Sequence, residues 1–393
     1  MKNLRSVLDS VLEKSTFQLG KIRILHRAIL EYLTYTEEST ADLIELLKDH
    51  LIHMLHTRDG ARIAQYCILH AGPKDRKHIV KSFKGLVHAI AKEQYGHTVL
   101  LTCFECVDDT VLVGKAIVNE LFASKEGEST IQDLLCDKHA STVVMFLLNG
   151  RNSKYLPLFV MQELAAADEI RKSTTKKEDS VRSEQLLALV SPLASAAVTE
   201  HCNQLMRDKH GSQVVCMAVE HLQGDTKCIL DAIVSSLAPT LSTDSLPTQP
   251  KEEFNAVKKL RKEAQDAKLV AQGIDMTEPL LLNRFATITF KTLLKSKALG
   301  FDKMLYACLK PAAIDWVKYC IANTVGTAGC VYVFISLLEQ GDQETIADLK
   351  KLCKAEKGLL ASIEQPAATP NLNANKRKAD HVSPLQLLKS LLL

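Results

Sequence analysis

Residues 58–70 read RDGARIAQYCILH, and the segment returns in degraded form as EQYGHTVLLTCFE (93–105), DKHASTVVMFLLN (137–149) and DKHGSQVVCMAVE (208–220). In each copy a loop ending in Gly or Ala opens a short apolar helix. Internal repeats of a few tens of residues specify a stacked array, in which each unit buries its apolar side against its neighbours. The working surface of such a chain is a wall of helices.

Taking the loop-closing residue as an anchor gives Lys21, Gly60, Gly96, Ala140, Gly211, Phe285 and Gly329; the first, sixth and seventh are set by the following helix alone. The third residue after the anchor is then Ile24, Ile63, Val99, Val143, Val214, Ile288 or Tyr332, and the eighth is Ile29, Ile68, Phe104, Leu148, Val219, Leu293 or Leu337. Both columns are apolar throughout. The seventh is mostly small (Ala28, Cys67, Cys103, Ala218, Ser336), as close approach of helices requires, with Leu147 and Thr292 as exceptions. On a helix the third, fourth, seventh and eighth positions share a face, and the first, second and fifth lie opposite. The expectation is that the former pack and the latter stand open.

Hydrophobic residues make up 46% of the 393, aromatics only 5%, with 16 Gly and 11 Pro, a composition that suits a helical protein. Segments such as FKGLVHAIAKE and KYLPLFVMQELAAADEI carry helical apolar stripes, and no run alternates cleanly with period two. An all-α array follows. Anchor spacings of 71 and 74 are about double the others, so a repeat has decayed there or an insertion intervenes. The hydrophilic runs at 171–182 and 243–253 favour insertion loops, the second followed by a charged helix, FNAVKKLRKEAQDAK. From about Glu364 the pattern stops. The Pro- and Asn-rich stretch that follows is expected to be disordered. Its cluster Lys376, Arg377, Lys378 suits a nuclear import signal, a phosphate contact or a solubilising tail. After Pro384, LQLLKSLLL is expected to form an apolar helix docked on the array, although Leu388, Leu391 and Leu392 also match an LxxLL partner box. The domain reading is repeats over 1–220, a more degenerate region over 221–363 and a tail over 364–393.

Enzymatic chemistry finds no support, because no GxSxG, P-loop, HExxH or dinucleotide fingerprint is present. Neither cofactor nor catalytic residue is expected. The eleven cysteines are scattered along apolar helix faces and read as reduced core thiols; Cys103 and Cys106 form a CxxC without a second pair at zinc-site spacing. His50, His53 and His56 lie along one helix face but are better explained by an exposed helix end than by a metal. No apolar stretch is long enough to span a bilayer, so no membrane partner is expected.

Net charge is only +3, so affinity for nucleic acid must come from charge concentrated on one side. Arg23, Arg58, Arg62, His97, Lys138, His139, Lys209, His210 and Arg284 all lie in the loop before the repeated helix or on its open face. A moderately basic groove suits phosphate, while a protein-binding scaffold of the armadillo or HEAT kind would use the same concavity. Salt dependence of RNA binding separates these readings.

The segments around Gly60, Gly96 and Gly211 resemble Pumilio-type (PUF) repeats, and LNRFATITFKTLLKS (282–296) with GTAGCVYVFISLLE (326–339) resembles the divergent Puf-A or Penguin branch with its C-terminal Penguin-like (CPL) region. The likeness covers roughly residues 10 to 360. It implies a right-handed α-solenoid of divergent three-helix PUF-like repeats, binding of RNA and of DNA, a nuclear and nucleolar location, a role in ribosome biogenesis or post-transcriptional regulation with assembly proteins as further partners, and a monomer. Members of that branch carry further repeats and a basic extension before this point, so the chain is expected to be a fragment or a truncated gene model. In PUF repeats the first and fifth positions read one base edge. Here those pairs include Ile22 with His26, Ala61 with Gln65, His97 with Leu101, Ser141 with Met145 and Ser212 with Cys216, none a complete reader. The expected interface is therefore Arg23, His26, Arg58, Arg62, Gln65, His97, Lys138, His139, Ser141, Lys209, His210, Ser212 and Gln213, holding a strand by charge and occasional stacking with little choice of sequence.

Overall fold

The computed structural model describes residues 22–36, 40–123, 130–242, 278–323, 327–356, 358–362 and 383–393, and among these the regular structure is helical with no strand. The chain forms two compact units, Met1–Ala197 with His221–Gly224, and Val198–Glu220 with Asp225–Leu393. Residues 198–220, assigned by sequence to the N-terminal repeats, thus belong with the C-terminal unit. The division falls inside a 27-residue helix, where no composition shift marks it.

In the first unit α1 (Arg23–Tyr35), α2 (Arg58–His70), α3 (Gly96–Cys106) and α4 (Ala140–Asn149) pack successively, each on the next. Shorter helices precede them: Pro73–Ser82 and Val87–Lys92 lead into α3, so one repeat is three helices, as expected. Close approach explains the anchor glycine. A Cβ on Gly60 would lie 2.2 Å from Met54 O and 2.7 Å from Thr57 Oγ1, a clash with fixed backbone that costs about 1–3 kcal/mol to relieve.

The caps of these helices fix the register. Thr57 Oγ1 accepts from Gly60 N–H at 3.0 Å, Asp137 Oδ1 from Ala140 N–H at 2.9 Å, and Asp208 Oδ1 from Gly211 N–H at 2.9 Å. Each cap sits three residues before its anchor, where a short polar side chain reaches an orphan amide. Asn283 Oδ1 accepts from Ala286 N–H at 3.2 Å, which makes Ala286 the sixth anchor in place of Phe285. Hydroxyl bonds agree: Thr287 donates to Arg284 O at 2.9 Å, as Ser141 does to Lys138 O and Ser212 to Lys209 O. Burial moves the first and seventh anchors by one residue as well, to Ile22 and Cys330, the latter three residues after the N-cap Thr327. Accordingly Ile24 and Ile288, expected to pack, are 79% and 46% exposed.

The hydrophilic run 171–182 is no loop. After α4 the chain forms α5 (Leu158–Ala166), α6 (Asp168–Thr174) and α7 (Asp179–Leu205), with α6 packed on α2. Four arginines hold this insertion. Arg76 donates to Ile68 O, Leu69 O, Cys106 O and Thr174 O at 2.7–3.1 Å, gathering carbonyls at the C-terminal ends of α2, α3 and α6 that would otherwise be orphaned. Arg151 grips Glu105 through Nε and Nη2 at 2.6 and 2.7 Å and also pairs with Asp168. Arg171 pairs with Glu105 and Asp179, and Arg182, 1% exposed, reaches Asp108 at 2.9 Å and Asp179 at 2.6 Å. Charges this buried persist because they are paired. The run at 243–253, the charged helix after it and the basic tail cluster lie outside the described residues.

The second unit contains α8 (Lys209–His221), α9 (Arg284–Lys295), α10 (Ala328–Gln340) and α11 (Pro384–Leu392). α9 packs on α10 and α10 on α11. The last is the apolar helix expected at the C-terminus, opened by a Ser383–Gln386 capping box, with Leu388 and Leu392 buried.

Candidate nucleic-acid interface

In the corrected register, two columns of the repeated helices reach solvent. Two residues before the anchor stand Arg58, Gln94, Lys138, Lys209, Arg284 and Ala328, all exposed. Two residues after it, Ile24, Arg62, Gln213 and Ile288 are exposed and Tyr332 half so, whereas Thr98 and Thr142 are buried. The outer columns expected at the first and fifth positions are mostly closed. A helix in a stack is flanked by the helix before, the helix after and the short helices of its own repeat, which leaves a narrow stripe where a single packing face would leave half the circumference.

Of the residues expected at the interface, Arg23, Arg58, Arg62, Lys138, Lys209 and Gln213 are exposed, and Gln65, His139 and His210 are half-buried. His26, His97, Ser141 and Ser212 are buried and serve the fold. His26 Nδ1 lies 2.7 Å from Thr57 Oγ1 and so ties α1 to the cap of α2. The hydroxyls of Ser141 and Ser212 are spent on backbone carbonyls. His97, 3% exposed, donates from Nδ1 to Glu93 O (3.0 Å), and burial brings its pKa down to about 4. A neutral imidazole packed 4.8 Å from the His139 ring is no phosphate contact.

The fifth-position side chain of one repeat reaches the second-position side chain of the next. Gln65 Nε2 donates to Thr98 Oγ1 at 3.2 Å in the first unit, and in the second Lys291 Nζ stands 4.5 Å from the centroid of the Tyr332 ring. Lys291 and Tyr332 were not among the expected residues. The N-cap preference of Asn283 and Thr327 is the sequence signal that would have found them. In the first unit the stripe is partly covered: Glu163 of α5 lies 3.8 Å from Arg58 Nη2 and 3.9 Å from Arg62 Nε, and Phe159 and Gln162 line the groove left between α5 and α2.

Among the described residues no three His, Cys, Asp or Glu side chains converge as metal ligands. Cys103 and Cys106 are buried, and burial raises both thiols, Cys106 to about 12, which keeps them protonated.

The sequence pattern of the CPL (NUC119) domain matches residues 136–298, taking in the repeats at Ala140 and Gly211 that the sequence reading had left outside its 221–363 region. Human Pumilio homolog 3 is 31% identical over 242 residues, 61% of this chain and 36% of that protein; Pumilio homolog 24 of Arabidopsis thaliana is 38% identical over 169 residues, 42% of this chain and 24% of that protein. The alignments thus span about a third or less of these relatives' length. The crystal structure of human Puf-A in complex with DNA superposes with a TM-score of 0.68 at 23% identity, covering 92% of this chain and 64% of that one, and has the same α-solenoid fold. Cap-anchored repeats, the CPL match and these relatives together make the chain similar in sequence to the Pumilio homologs and, in its α-solenoid fold, to human Puf-A.

Proposed function

We propose that this chain binds RNA, and DNA as well, through the exposed stripes of its repeated helices, gripping phosphate with little choice of sequence. One observation carries the reading: most of the positions that would read base edges are buried or apolar, with Gln65 and Lys291 the half-buried polar exceptions, while Arg58, Arg62, Lys138, Lys209 and Arg284 remain at the surface. Phosphate contacts position a strand, whereas base-edge hydrogen bonds discriminate. Human Puf-A in complex with DNA supports nucleic acid as the partner class. A nucleolar location and a part in ribosome biogenesis, with assembly proteins as partners, belong to the same proposal and rest on the family resemblance.

The test is fluorescence anisotropy with single-stranded RNA and DNA of equal length at about 50 and 200 mM salt, where each neutralised phosphate contributes a slope of about −0.7. Binding that falls steeply with salt, with unrelated sequences within about tenfold or roughly 1.4 kcal/mol, is the expected result. No binding at low salt would overturn it in favour of a protein-binding scaffold. A consensus bound a hundredfold better than scrambled sequence would overturn the lack of selectivity.

A further inference from the structure

We propose that Lys291, Lys295 and Tyr332 form a nucleotide subsite in the second unit, with a phosphate between the two ammonium groups and a base or sugar against the tyrosine ring and the neighbouring Ile288. The proposal rests on the nucleic-acid reading above and locates one place where a strand is held.

Lys291 and Lys295 are one helical turn apart on α9, so their charges face each other along the same side. The ion pairs of this unit engage Lys303, Lys310 and Lys318, and among the described residues none joins a carboxylate to Lys291 or Lys295. Two like charges held together without a counterion repel, and a phosphate relieves that repulsion. Burial and the Lys295 charge both draw the Lys291 amine below its ordinary pKa, consistent with a position that lacks an anion.

The aromatic partner is already in place. Tyr332 is half exposed, and the Lys291 ammonium stands 4.5 Å from its ring centroid, a weak cation–π contact that a phosphate can exchange. Ile288, 46% exposed on the preceding helix, adds an apolar surface in the equivalent column. Cation and ring side by side are what single-stranded nucleic acid meets in proteins that bind without reading sequence, where any base has a π-face to stack. The Lys310 and Tyr306 pair differs, because Asp348 neutralises that lysine at 2.5 Å.

The experiment measures anisotropy of a labelled, mixed-sequence single-stranded RNA with the full chain, across a salt series. Lys291→Gln/Lys295→Gln is expected to weaken binding about five- to tenfold and to shrink the salt slope by about 0.7, one phosphate. Tyr332→Leu is expected to weaken it about fivefold with the slope unchanged, and Lys310→Gln to change neither. If the parent chain binds and the double variant keeps its affinity and slope, or loses no more than Lys310→Gln, the subsite is wrong while the functional reading stands. Failure of the parent chain to bind at all overturns both.

Discussion

The same stripe of the same repeat is finished differently in the two units. In the first, α5 brings Glu163 opposite Arg58 and Arg62, and buried arginines hold that insertion against α2 and α3. In the second, Lys291 and Lys295 meet no carboxylate among the described residues and stand beside a half-exposed tyrosine. Counting basic residues along the repeats would rank the first unit as the stronger phosphate surface. Counting those without a counter-charge reverses the ranking, because a cation already facing a carboxylate gains less from a phosphate.

The contrast breaks most decisively at its support. Arg182→Ala removes a guanidinium on a side chain only 2% exposed and leaves Asp108 and Asp179 short of their partner, so urea unfolding should show a loss of about 3–5 kcal/mol. A loss below about 1 kcal/mol would mean that the insertion is not held as described.

His97 probes whether the first unit's histidines are part of the fold or of the binding surface. Its folded pKa of about 4 lies below its ordinary value of 6.5, so folding favours the neutral ring. The associated stability is complete above about pH 6.5 and is lost as pH falls toward 4, by up to about 3 kcal/mol. Denaturation at neutral and acid pH should show that His97→Gln removes this part of the acid lability. An RNA affinity that rises on acidification in the parent chain but not in His97→Gln would return the residue to the interface.

Smaller effects sharpen the comparison. Glu163→Gln frees both arginines of a loosely held, partly exposed counter-charge and should tighten RNA binding about three- to fivefold, roughly 0.6–1 kcal/mol, with a steeper salt slope. Arg62→Ala should weaken the parent chain only about two- to threefold, and by more in the Glu163→Gln background; that difference in a double-mutant cycle measures how far the carboxylate silences the arginine. Additive effects would show that it does not.

The copies anchored on a loop were legible from sequence alone. DKHA and DKHG announce a cap and an anchor together, and their helices pack in the expected register. The three copies anchored by helix pattern alone are displaced by one residue, since apolar periodicity locates a face more loosely than a cap locates a start. Asn283, whose side chain caps the helix three residues before Ala286, carried the missing information, and Thr327 holds the same N-cap position before Cys330 with its hydroxyl turned to Asn323 O. The buried reader columns were not legible, because helical geometry predicts opposite faces but not how many neighbours a helix has.

By itself the sequence determined the repeat, the all-helical class, the close approach demanded at Gly60 and the apolar columns, all consequences of local spacing and of side-chain size. Tertiary structure alone decided which cations remain available. The run 171–182 is hydrophilic in any sequence reading, yet Arg171 and Arg182 are buried because carboxylates from residues far apart in the chain converge on them, and Arg76 fastens the same insertion through the helix-end carbonyls it collects. Glu163 comes to Arg62 across a separation of a hundred residues for the same reason. Electrostatic pairing depends on distance in space, and no local pattern records it.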